Sequence, residues 1–415
     1  MEIEKQYDQI ARCNRCGFCQ VACPIFRATG HETGVARGRI ALLRAIVEGR
    51  LEWDRTLEEP LFACLLCGAC TANCFPAVGT ADLILDARSQ YLDQVGRGKL
   101  HRLLFTHLLP YPKRLRLAAR AVALGKRTRL SDIARALGML RIFGRDFPRA
   151  EEIVDRFPDR AFRDGDEPRV VQGTGDLRLA YFVGCGTDIL CPQVGEATLG
   201  VLCKIAATVE VLPNCCCGLP PTTYGDQSAA RELAAKNLRL FADGRFDFIV
   251  TDRSSCASFL KKYPSLFPED DPLHGSARGW AAAIRDFPEL VASAPSRSAS
   301  RPTDAEEVIA TYHDPCHASR GQGLVRQPRE LLRSLPGVEY RELPEADWCC
   351  GGAGSYALSH YDLSRKVLDR KIDNVERTGA NLLVTSCPAC IVQLSYGVRK
   401  RALPVRVCHI AEMIR

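Results

Sequence analysis

The chain has 415 residues, of which 46% are hydrophobic and 25% charged, a composition that excludes a wholly disordered or fibrous protein. Its net charge of +7 is unevenly placed, because residues 97–149 carry 14 Lys and Arg against two acids. Cysteine is unusually frequent, with 21 copies, of which eight lie in residues 13–74 and none in residues 75–184. Such clusters in a long chain indicate metal binding or redox chemistry rather than a disulfide scaffold.

The N-terminal stretch MEIEKQYDQI has no apolar segment like that of a signal peptide, and no run of about 18 apolar residues could span a bilayer. We therefore expect reduced thiols in the cytoplasm. The chain has neither G-x-G-x-x-G after a predicted strand nor G-x-x-x-x-G-K-[ST]. We accordingly expect no flavin or nucleotide in it.

Residues 1–96 are predicted to form a helical domain with two cysteine runs. The first run begins at Cys13 and fits C-x2-C-x2-C-x3-C-P, the bacterial ferredoxin signature. The second run begins at Cys64 and has the same spacing, with its proline one place late. Gly17 and Gly68 allow the backbone to approach a cluster closely. The helical periodicity between the runs favours a helical ferredoxin domain over the compact small ferredoxin fold.

This spacing predicts two [4Fe–4S] clusters that carry single electrons. The fourth cysteine of each run is expected to ligate the other cluster. Zinc is a poorer match, since it is satisfied by four cysteines in C-x2-C pairs. The predicted ligands are Cys13, Cys16, Cys19 and Cys74 for cluster 1, and Cys64, Cys67, Cys70 and Cys23 for cluster 2.

Residues 97–175 are predicted to form a basic helical connector. Leu115, Ala118, Ala119 and Val122 fall at helical spacing among the charges, which is typical of an amphipathic helix at a membrane surface. A helical bridge with a solvated basic face, or binding to an acidic protein, explains the same pattern. No aromatic residues are interleaved as in RNA-binding modules, so we expect no nucleic acid partner.

Residues 176–292 and 304–415 are predicted to be two copies of one α/β unit, and the whole chain a multidomain α+β protein. The Ser- and Pro-rich segment 293–303 is the predicted linker between the copies. Each copy has an apolar strand leading to a cysteine, then Cys-Cys-Gly, a polar helix, another strand and Ser-Cys, which indicates duplication. The matching pairs are Cys185 and Cys316, Cys216 and Cys349, and Cys256 and Cys387, with offsets of 131, 133 and 131 residues.

The second copy is the stronger candidate for a metal or cluster site, with a redox disulfide or plain core packing as alternatives. Its five thiols are Cys316, Cys349, Cys350, Cys387 and Cys390, and His313 and His317 are further candidate ligands or proton carriers. In the first copy, Phe259 stands where the last cysteine belongs. That copy is expected to be degenerate, to share ligands across the copies, or to hold substrate or partner. Its candidates are Cys185, Cys216, Cys217 and Cys256, beside a third consecutive cysteine, Cys215. Cys191, Cys203 and Cys408 are expected to be core residues.

The two cysteine runs, the RGRIALL segment and the duplicated Cys-Cys-Gly units together resemble the iron–sulfur subunit of bacterial glycolate oxidase. Iron–sulfur subunits of lactate-utilisation complexes and of anaerobic glycerol-3-phosphate dehydrogenase are similar. The C-terminal half alone resembles the Cys-Cys-Gly subunit of heterodisulfide reductase. That second resemblance implies a third, noncubane [4Fe–4S] cluster on the five thiols of the second copy. The connector has no diagnostic motif.

The glycolate oxidase resemblance implies that a separate FAD-containing dehydrogenase subunit oxidises a 2-hydroxy acid. This chain would then carry electrons towards quinone or another acceptor, with its basic connector on the inner face of the membrane. The heterodisulfide reductase resemblance implies instead a catalytic subunit that reduces a disulfide at the C-terminal cluster. A non-enzymatic iron–sulfur sensor is the third hypothesis. The sequence identifies no catalytic residue under any of them.

Overall fold

The computed structural model describes residues 3–96, 98–128, 130–165, 169–241, 245–294 and 307–414. The predicted linker 293–303 lies outside the described residues from residue 295 onwards. Within the described ranges, no helix is both long enough and apolar enough to cross a membrane.

The N-terminal part is helical, as predicted. Its helices are α1 (Tyr7–Ala11), α2 (Phe18–Ala22), α3 (Pro24–Thr29), α4 (Ala36–Val47), α5 (Glu58–Phe62), α6 (Ala69–Ala72) and α7 (Thr80–Val95). Helix α4 lies between the two cysteine runs and buries Ile40 and Leu43 in a core that it shares with Leu83 and Ile84 of α7. The apolar positions recur at 3.6-residue periodicity, so one face of α4 turns inwards.

The basic connector is also helical and packs on both copies. It comprises α8 (Lys99–Leu103), a π-helical turn (Leu104–Leu108), α9 (Pro112–Arg127), α10 (Leu130–Ala136) and α11 (Phe147–Ala150). Phe105 and Leu109 lie in the core of the first copy, whereas Ala150 lies in the core of the second. Arg116 is buried and places its guanidinium 3.3 Å from Asp188 of the first copy. The connector therefore bridges the two copies, and part of its positive charge is neutralised internally.

The first copy contains a five-stranded sheet flanked by helices. Its elements are β1 (Arg169–Gln172), β2 (Leu177–Tyr181), α12 (Cys185–Leu190), α13 (Pro192–Ile205), β3 (Ala206–Val211), α14 (Leu219–Thr223), α15 (Gln227–Leu238), β4 (Phe248–Thr251), α16 (Ser254–Leu260), α17 (His274–Ala283), β5 (Ile284–Asp286) and α18 (Phe287–Ser293).

The second copy contains a four-stranded sheet. Its elements are β6 (Val308–Tyr312), α19 (Cys316–Gln322), α20 (Arg326–Ser334), β7 (Val338–Tyr340), α21 (Tyr361–Thr378), β8 (Leu382–Thr385), α22 (Pro388–Lys400) and β9 (Arg406–His409). Along the described chain, 3₁₀ turns lie at Ile3–Gln6, Glu32–Gly34, Arg55–Leu57, Met139–Phe143, Glu151–Ile153, Arg239–Phe241, Tyr263–Leu266, Tyr356–Leu358 and Ile410–Glu412.

The two sheets have the same topology. Their strand orders are β1-β3-β2-β4-β5 and β7-β6-β8-β9, and every pair except β1–β3 is parallel. Without β1, each sheet has the order second, first, third, fourth, which supports the predicted duplication. In such sheets the crossovers change direction between the first and third strands, and ligands bind beyond the carboxyl ends of the strands there. That point lies beyond β2 and β4 in one copy and beyond β6 and β8 in the other.

The two copies share one apolar core, to which Tyr181 and Tyr312 contribute fully buried rings from corresponding strands. Polar contacts also cross the interface. The hydroxyl oxygens of Ser254 and Ser386 lie 2.9 Å apart. The side-chain amide of Gln322 donates to a carboxylate oxygen of Asp286 at 2.8 Å.

Asp286 generates a prediction about pH. Its carboxyl is fully buried, and burial raises its pKa to about 7. Between the unfolded pKa near 3.9 and this value the folded state binds more protons, so the free energy of unfolding falls as pH rises. From pH 5 to pH 8 we expect a loss of roughly 2 to 3 kcal/mol. Asp286→Asn should remove this loss in anaerobic unfolding experiments.

The control is Asp54→Asn. Asp54 is an exposed helix cap whose pKa is lowered by hydrogen bonds from Thr56, so it is ionised throughout this pH range in both states. Asp54→Asn should leave the change of the free energy of unfolding with pH as it is in the original protein. An unaltered slope in Asp286→Asn would contradict the assignment.

Candidate metal centres

The two N-terminal cysteine runs fold alike. Arg15 and Leu66 occupy the same place in each run and have φ of +59° and +52°. The glycines two residues later, Gly17 and Gly68, have φ of +91° and +73°. Positive φ is uncommon for residues other than glycine and concentrates at functional sites. Both runs are therefore shaped by the same backbone turn.

The four thiols predicted for cluster 2 come together, including the one from the other run. Cys23, Cys64, Cys67 and Cys70 all line one cavity. Burial, followed by the neighbouring thiols of Cys64 and Cys23, raises the pKa of Cys70 to about 12. Without a cation, ionised sulfurs are therefore unfavourable in this cavity, whereas a bound metal group would favour them.

The thiols predicted for cluster 1 lie nearer the surface. Cys16 is exposed, and Cys13, Cys19 and Cys74 are half-buried. Burial raises the pKa of Cys19, and the thiols of Cys13 and Cys23 add to this effect. Cys19 is therefore close to Cys13 and also to Cys23, which lines the cavity of the cluster 2 thiols. The backbone N–H of Val78 donates to the Cys74 sulfur at 3.3 Å.

The five predicted thiols of the second copy converge at the carboxyl ends of β6 and β8. The sulfurs of Cys350 and Cys390 lie 3.6 Å apart. Cys349 interacts with Cys316 and Cys350, and Cys387 interacts with Cys390. The set is deeply placed, since Cys349, Cys350, Cys387 and Cys390 are buried and Cys316 is half-buried.

The pKa is lowered for two thiols of this set. Hydrogen bonds from Cys316 and Cys350 lower the pKa of Cys349 well below the usual value. A hydrogen bond from Cys390 likewise lowers the pKa of Cys387. Cys387 also immediately precedes the 13-residue helix α22, whose N-terminus favours anions. Buried thiolates in this number need a cation, which is the chemistry of a metal site.

The four predicted thiols of the first copy also converge. Hydrogen bonding to Cys216 lowers the pKa of Cys185 to about 6, and the guanidinium of Arg253, 3.6 Å from the Cys185 sulfur, assists. Cys217 lies between Cys216 and Cys256. The missing fifth thiol is replaced by the buried ring of Phe259, which packs beside Gly218.

The remaining cysteines stand apart from these sets. Cys215 turns away, with its sulfur 3.3 Å from the side-chain oxygen of Asn237. Cys191 and Cys408 are buried and Cys203 is half-buried, in agreement with their predicted core role. Of the two candidate histidines, His317 places Nδ1 3.5 Å from the Cys316 sulfur. His313 lies beside Cys350 and Cys390.

One of the thiols predicted for cluster 2, Cys67, packs against the buried cluster that contains Cys349 of the second copy. The charge of Cys349 acts on the pKa of Cys67, and the charge of Cys67 acts on the pKa of Cys316. Arg320 of α19 donates to the backbone oxygen of Cys67 at 3.2 Å. The hydroxyl of Tyr356 donates to the backbone oxygen of Ala63 at 3.0 Å. The thiols therefore form a chain that passes from the ferredoxin-like part into the second copy.

Three arginines were missed by the sequence analysis. Arg320 spans the contact between Cys67 and the second copy. Arg253 lies between the thiol sets of the two copies, close to Cys185 and Cys387. Arg88 of α7 is buried and donates to the backbone oxygens of Cys64 and of residue 223 in the first copy. None of them stands in a motif, and their roles arise only where distant segments dock.

Three family models match the chain. They are the 4Fe-4S dicluster domain over residues 9–77, the linker region of the glycolate oxidase iron-sulfur subunit over residues 96–154, and the cysteine-rich domain over residues 179–261 and 310–395. Over its whole length the chain is 30% identical to a probable glycolate oxidase iron-sulfur subunit from Bacillus subtilis (strain 168), of which it covers 95%. The chain belongs to the glycolate oxidase iron–sulfur subunit family.

Lactate utilization proteins are also similar. The chain is 30% identical to lactate utilization protein A of Geobacillus kaustophilus (strain HTA426), with 57% of this chain matched to 98% of the relative. It is 31% identical to lactate utilization protein A 2 of Bacillus mycoides (strain KBAB4), with the same coverage. The family resemblance is thus confirmed, as are the iron–sulfur character and the two cysteine-rich copies. The connector, which offered no diagnostic motif, carries a family signature of its own.

The Cys-Cys-Gly turn generates a prediction. Gly351 has φ of +82°, and a Cβ there would lie 2.6 Å from the backbone oxygen of Ser364. Gly351→Ala should therefore displace Cys349 and Cys350, destabilise the fold by more than about 1 kcal/mol and reduce iron per chain. Gly354→Ala is the matched control, because its φ is +72° but nothing lies within 4 Å of the new Cβ. Equal iron contents in the two variants would contradict this role for the turn.

Proposed function

We propose that this chain is the electron-transfer subunit of a flavoprotein dehydrogenase complex that oxidises glycolate, lactate or a similar 2-hydroxy acid. The observation that carries the proposal is that Cys67 packs against the buried cluster that contains Cys349, where the N-terminal part meets the second copy. In this proposal an FAD subunit oxidises the substrate and the clusters accept its electrons singly. The names of the relatives support the substrate class.

The residues are suited to three iron–sulfur groups. Cys13, Cys16, Cys19 and Cys74 would hold cluster 1, and Cys64, Cys67, Cys70 and Cys23 would hold cluster 2. Cys316, Cys349, Cys350, Cys387 and Cys390 would hold a third, noncubane group. The lining of the cluster 2 cavity and the convergence of the five thiols support these assignments.

The surrounding protein would keep water away from the step between cluster 2 and the third group. Leu65 packs in one buried apolar cluster with Trp348, Val367 and Cys349. Solvent exposure and hydrogen bonds to sulfur set cluster potentials. The N–H of Gly351, 3.4 Å from the Cys349 sulfur, and the guanidinium of Arg320 are the groups placed to adjust this step.

The function is tested by tagging the chain in its own cell and purifying it anaerobically with its partners. A flavin-containing subunit should copurify, and glycolate or lactate should bleach the visible absorbance of the complex. The same acids should leave the absorbance of the isolated chain unchanged. Turnover by the isolated chain, or failure of any flavin protein to copurify, would contradict the proposal.

A disulfide reductase is a second candidate, favoured by the placement of Arg253 between the two thiol sets. The hydroxyl of Ser255 also lies 3.7 Å from the Cys387 sulfur, across the interface between the copies. Release of thiol product from a disulfide, with electrons supplied through the clusters, would establish this function. Phe259 in place of the fifth thiol makes the first copy poorly suited to a second group of the same kind.

Iron analysis tests the ligand assignments. Anaerobically purified protein should contain about 12 irons and matching acid-labile sulfide, from three four-iron clusters. Cys390→Ser should lower this to about 8. Cys408→Ser is the matched control, because Cys408 is equally buried but outside every thiol set, and it should retain the full iron content. About 8 irons in the unaltered protein would eliminate the third group.

We also propose that the connector contacts an anionic membrane surface. Lys113, Leu117 and Leu124 lie on one face of α9, since they are four and seven residues apart. Leu117 and Leu124 are 66% and 61% exposed, and Ile142 beyond them is 85% exposed. Exposed apolar side chains among cations suit an interfacial helix better than a solvated face alone.

The membrane proposal predicts cosedimentation with vesicles containing phosphatidylglycerol. Leu117→Glu with Leu124→Glu should reduce the bound fraction at least several-fold, because both apolar burial and charge attraction are weakened. Leu51→Glu with Val170→Glu introduces the same charge at exposed positions elsewhere and should bind normally. Unaltered binding of the α9 variant, or no binding of the original protein, would contradict the proposal.

A further inference from the structure

His313 is a buried histidine whose ring nitrogens are poorly satisfied by the protein. It is 1% exposed and directly follows β6. Within the described residues neither Nδ1 nor Nε2 makes a hydrogen bond of good geometry, and the backbone of Ala346 is the polar group that acts on the ring. An unsatisfied buried polar group costs about 1 to 3 kcal/mol, and most such groups have a partner or a functional reason. The nitrogens of His313 are therefore available to a ligand that its other neighbours could share.

The neighbours of the ring indicate what is absent. One imidazole nitrogen and the sulfurs of Cys350 and Cys390 all lie within 4.8 Å of one another. The two sulfurs are 3.6 Å apart. Two sulfurs each about 2.3 Å from one tetrahedral metal ion are roughly 3.8 Å apart. The three atoms therefore have the separation of ligands that share a metal.

A neutral imidazole keeps a lone pair on one nitrogen, and this is the form that binds a metal. The nearest buried cation is Lys371, whose ammonium donates to the backbone oxygen of Ala346 at 3.1 Å. This ammonium is therefore already hydrogen-bonded to the backbone beside the thiols.

Burial in this fold does not by itself leave a histidine unpartnered. His409 is fully buried and is the last residue of β9, the neighbour of β8 in the same sheet. Its Nε2 lies 2.8 Å from the backbone oxygen of Asp252, and its Nδ1 accepts the N–H of Ala411 at 3.1 Å. The contrast indicates that the poor hydrogen bonding of His313 is a property of its place beside the thiols.

We propose that His313 ligates iron at the site formed by Cys350 and Cys390. The proposal rests on the iron–sulfur group proposed for the second copy. A neutral imidazole adds no negative charge, whereas each thiolate does. Histidine in place of cysteine raises the potential of a [2Fe–2S] centre, so His313 would make this group easier to reduce. Electrons arriving through Cys67 would then meet a better acceptor.

Pulsed EPR on reduced protein labelled with ¹⁵N-histidine tests the ligand directly. The original protein should show a nitrogen coupling that changes on ¹⁵N substitution. His313→Cys should lose that coupling and retain about 12 irons. Its midpoint potential, measured by redox titration monitored through visible absorbance, should be more negative than that of the original protein. His409→Gln, at an equally buried histidine, should retain the coupling and the potential.

The outcomes separate the two proposals. A full iron content with no ¹⁵N-sensitive coupling, or a coupling that persists in His313→Cys, would overturn the ligand role alone. An unchanged potential in His313→Cys would also overturn it. About 8 irons, unaffected by Cys390→Ser, would remove the iron–sulfur group itself and the ligand proposal with it. If His313→Cys fails to fold, His313→Gln, which cannot supply an imidazole nitrogen, gives the same spectroscopic comparison.

Discussion

Buried thiolates need positive charge, and this requirement organises the molecule. Each copy brings cysteines to the carboxyl ends of its first and third strands, where a doubly wound sheet leaves a crevice. The Cys-Cys-Gly turn reaches the same place after the second strand. Thiols crowded there cannot all ionise unless a cation joins them. In agreement with this, the pKa of Cys349 is lowered whereas the pKa of its neighbour Cys350 is raised. The fold is therefore arranged to hold metal, and the family relationship agrees with that chemistry.

Docking between the N-terminal part and the copies gives these sites their order. Arg320 donates to a backbone oxygen of the second cysteine run, and Tyr356 donates to the backbone oxygen of the residue before that run. Arg88 donates both to the run and to the first copy. Each of these side chains donates a hydrogen bond to a segment that is distant from it in sequence. Loss of one would leave buried acceptors unpaired as well as loosen the contact. The same contacts that stabilise the assembly therefore also hold Cys67 beside the buried cluster that contains Cys349.

Much of this arrangement could be predicted from local spacing. The cysteine runs, helix α4 and the duplication all follow from residue periods and repeated motifs, since such patterns depend on neighbours in sequence. The pairing of Cys23 with the second run followed from ferredoxin spacing, and the cavity lining supports it. Arg253, Arg320 and the isolation of His313 could not be predicted, because they depend on how distant segments meet. The motif of the first copy is incomplete at Phe259, so the sequence did not predict that its other four thiols come together.

Arg253 has a consequence for how the copies behave together. Its guanidinium is the shared counter-charge for Cys185 and Cys217 in its own copy and for Cys387 in the other. The attraction of one fixed cation for several anions is additive. Loss of this one charge would therefore make negative charge less favourable in both copies at once. A single arginine thus ties the two halves of a duplicated sequence to a common electrostatic support.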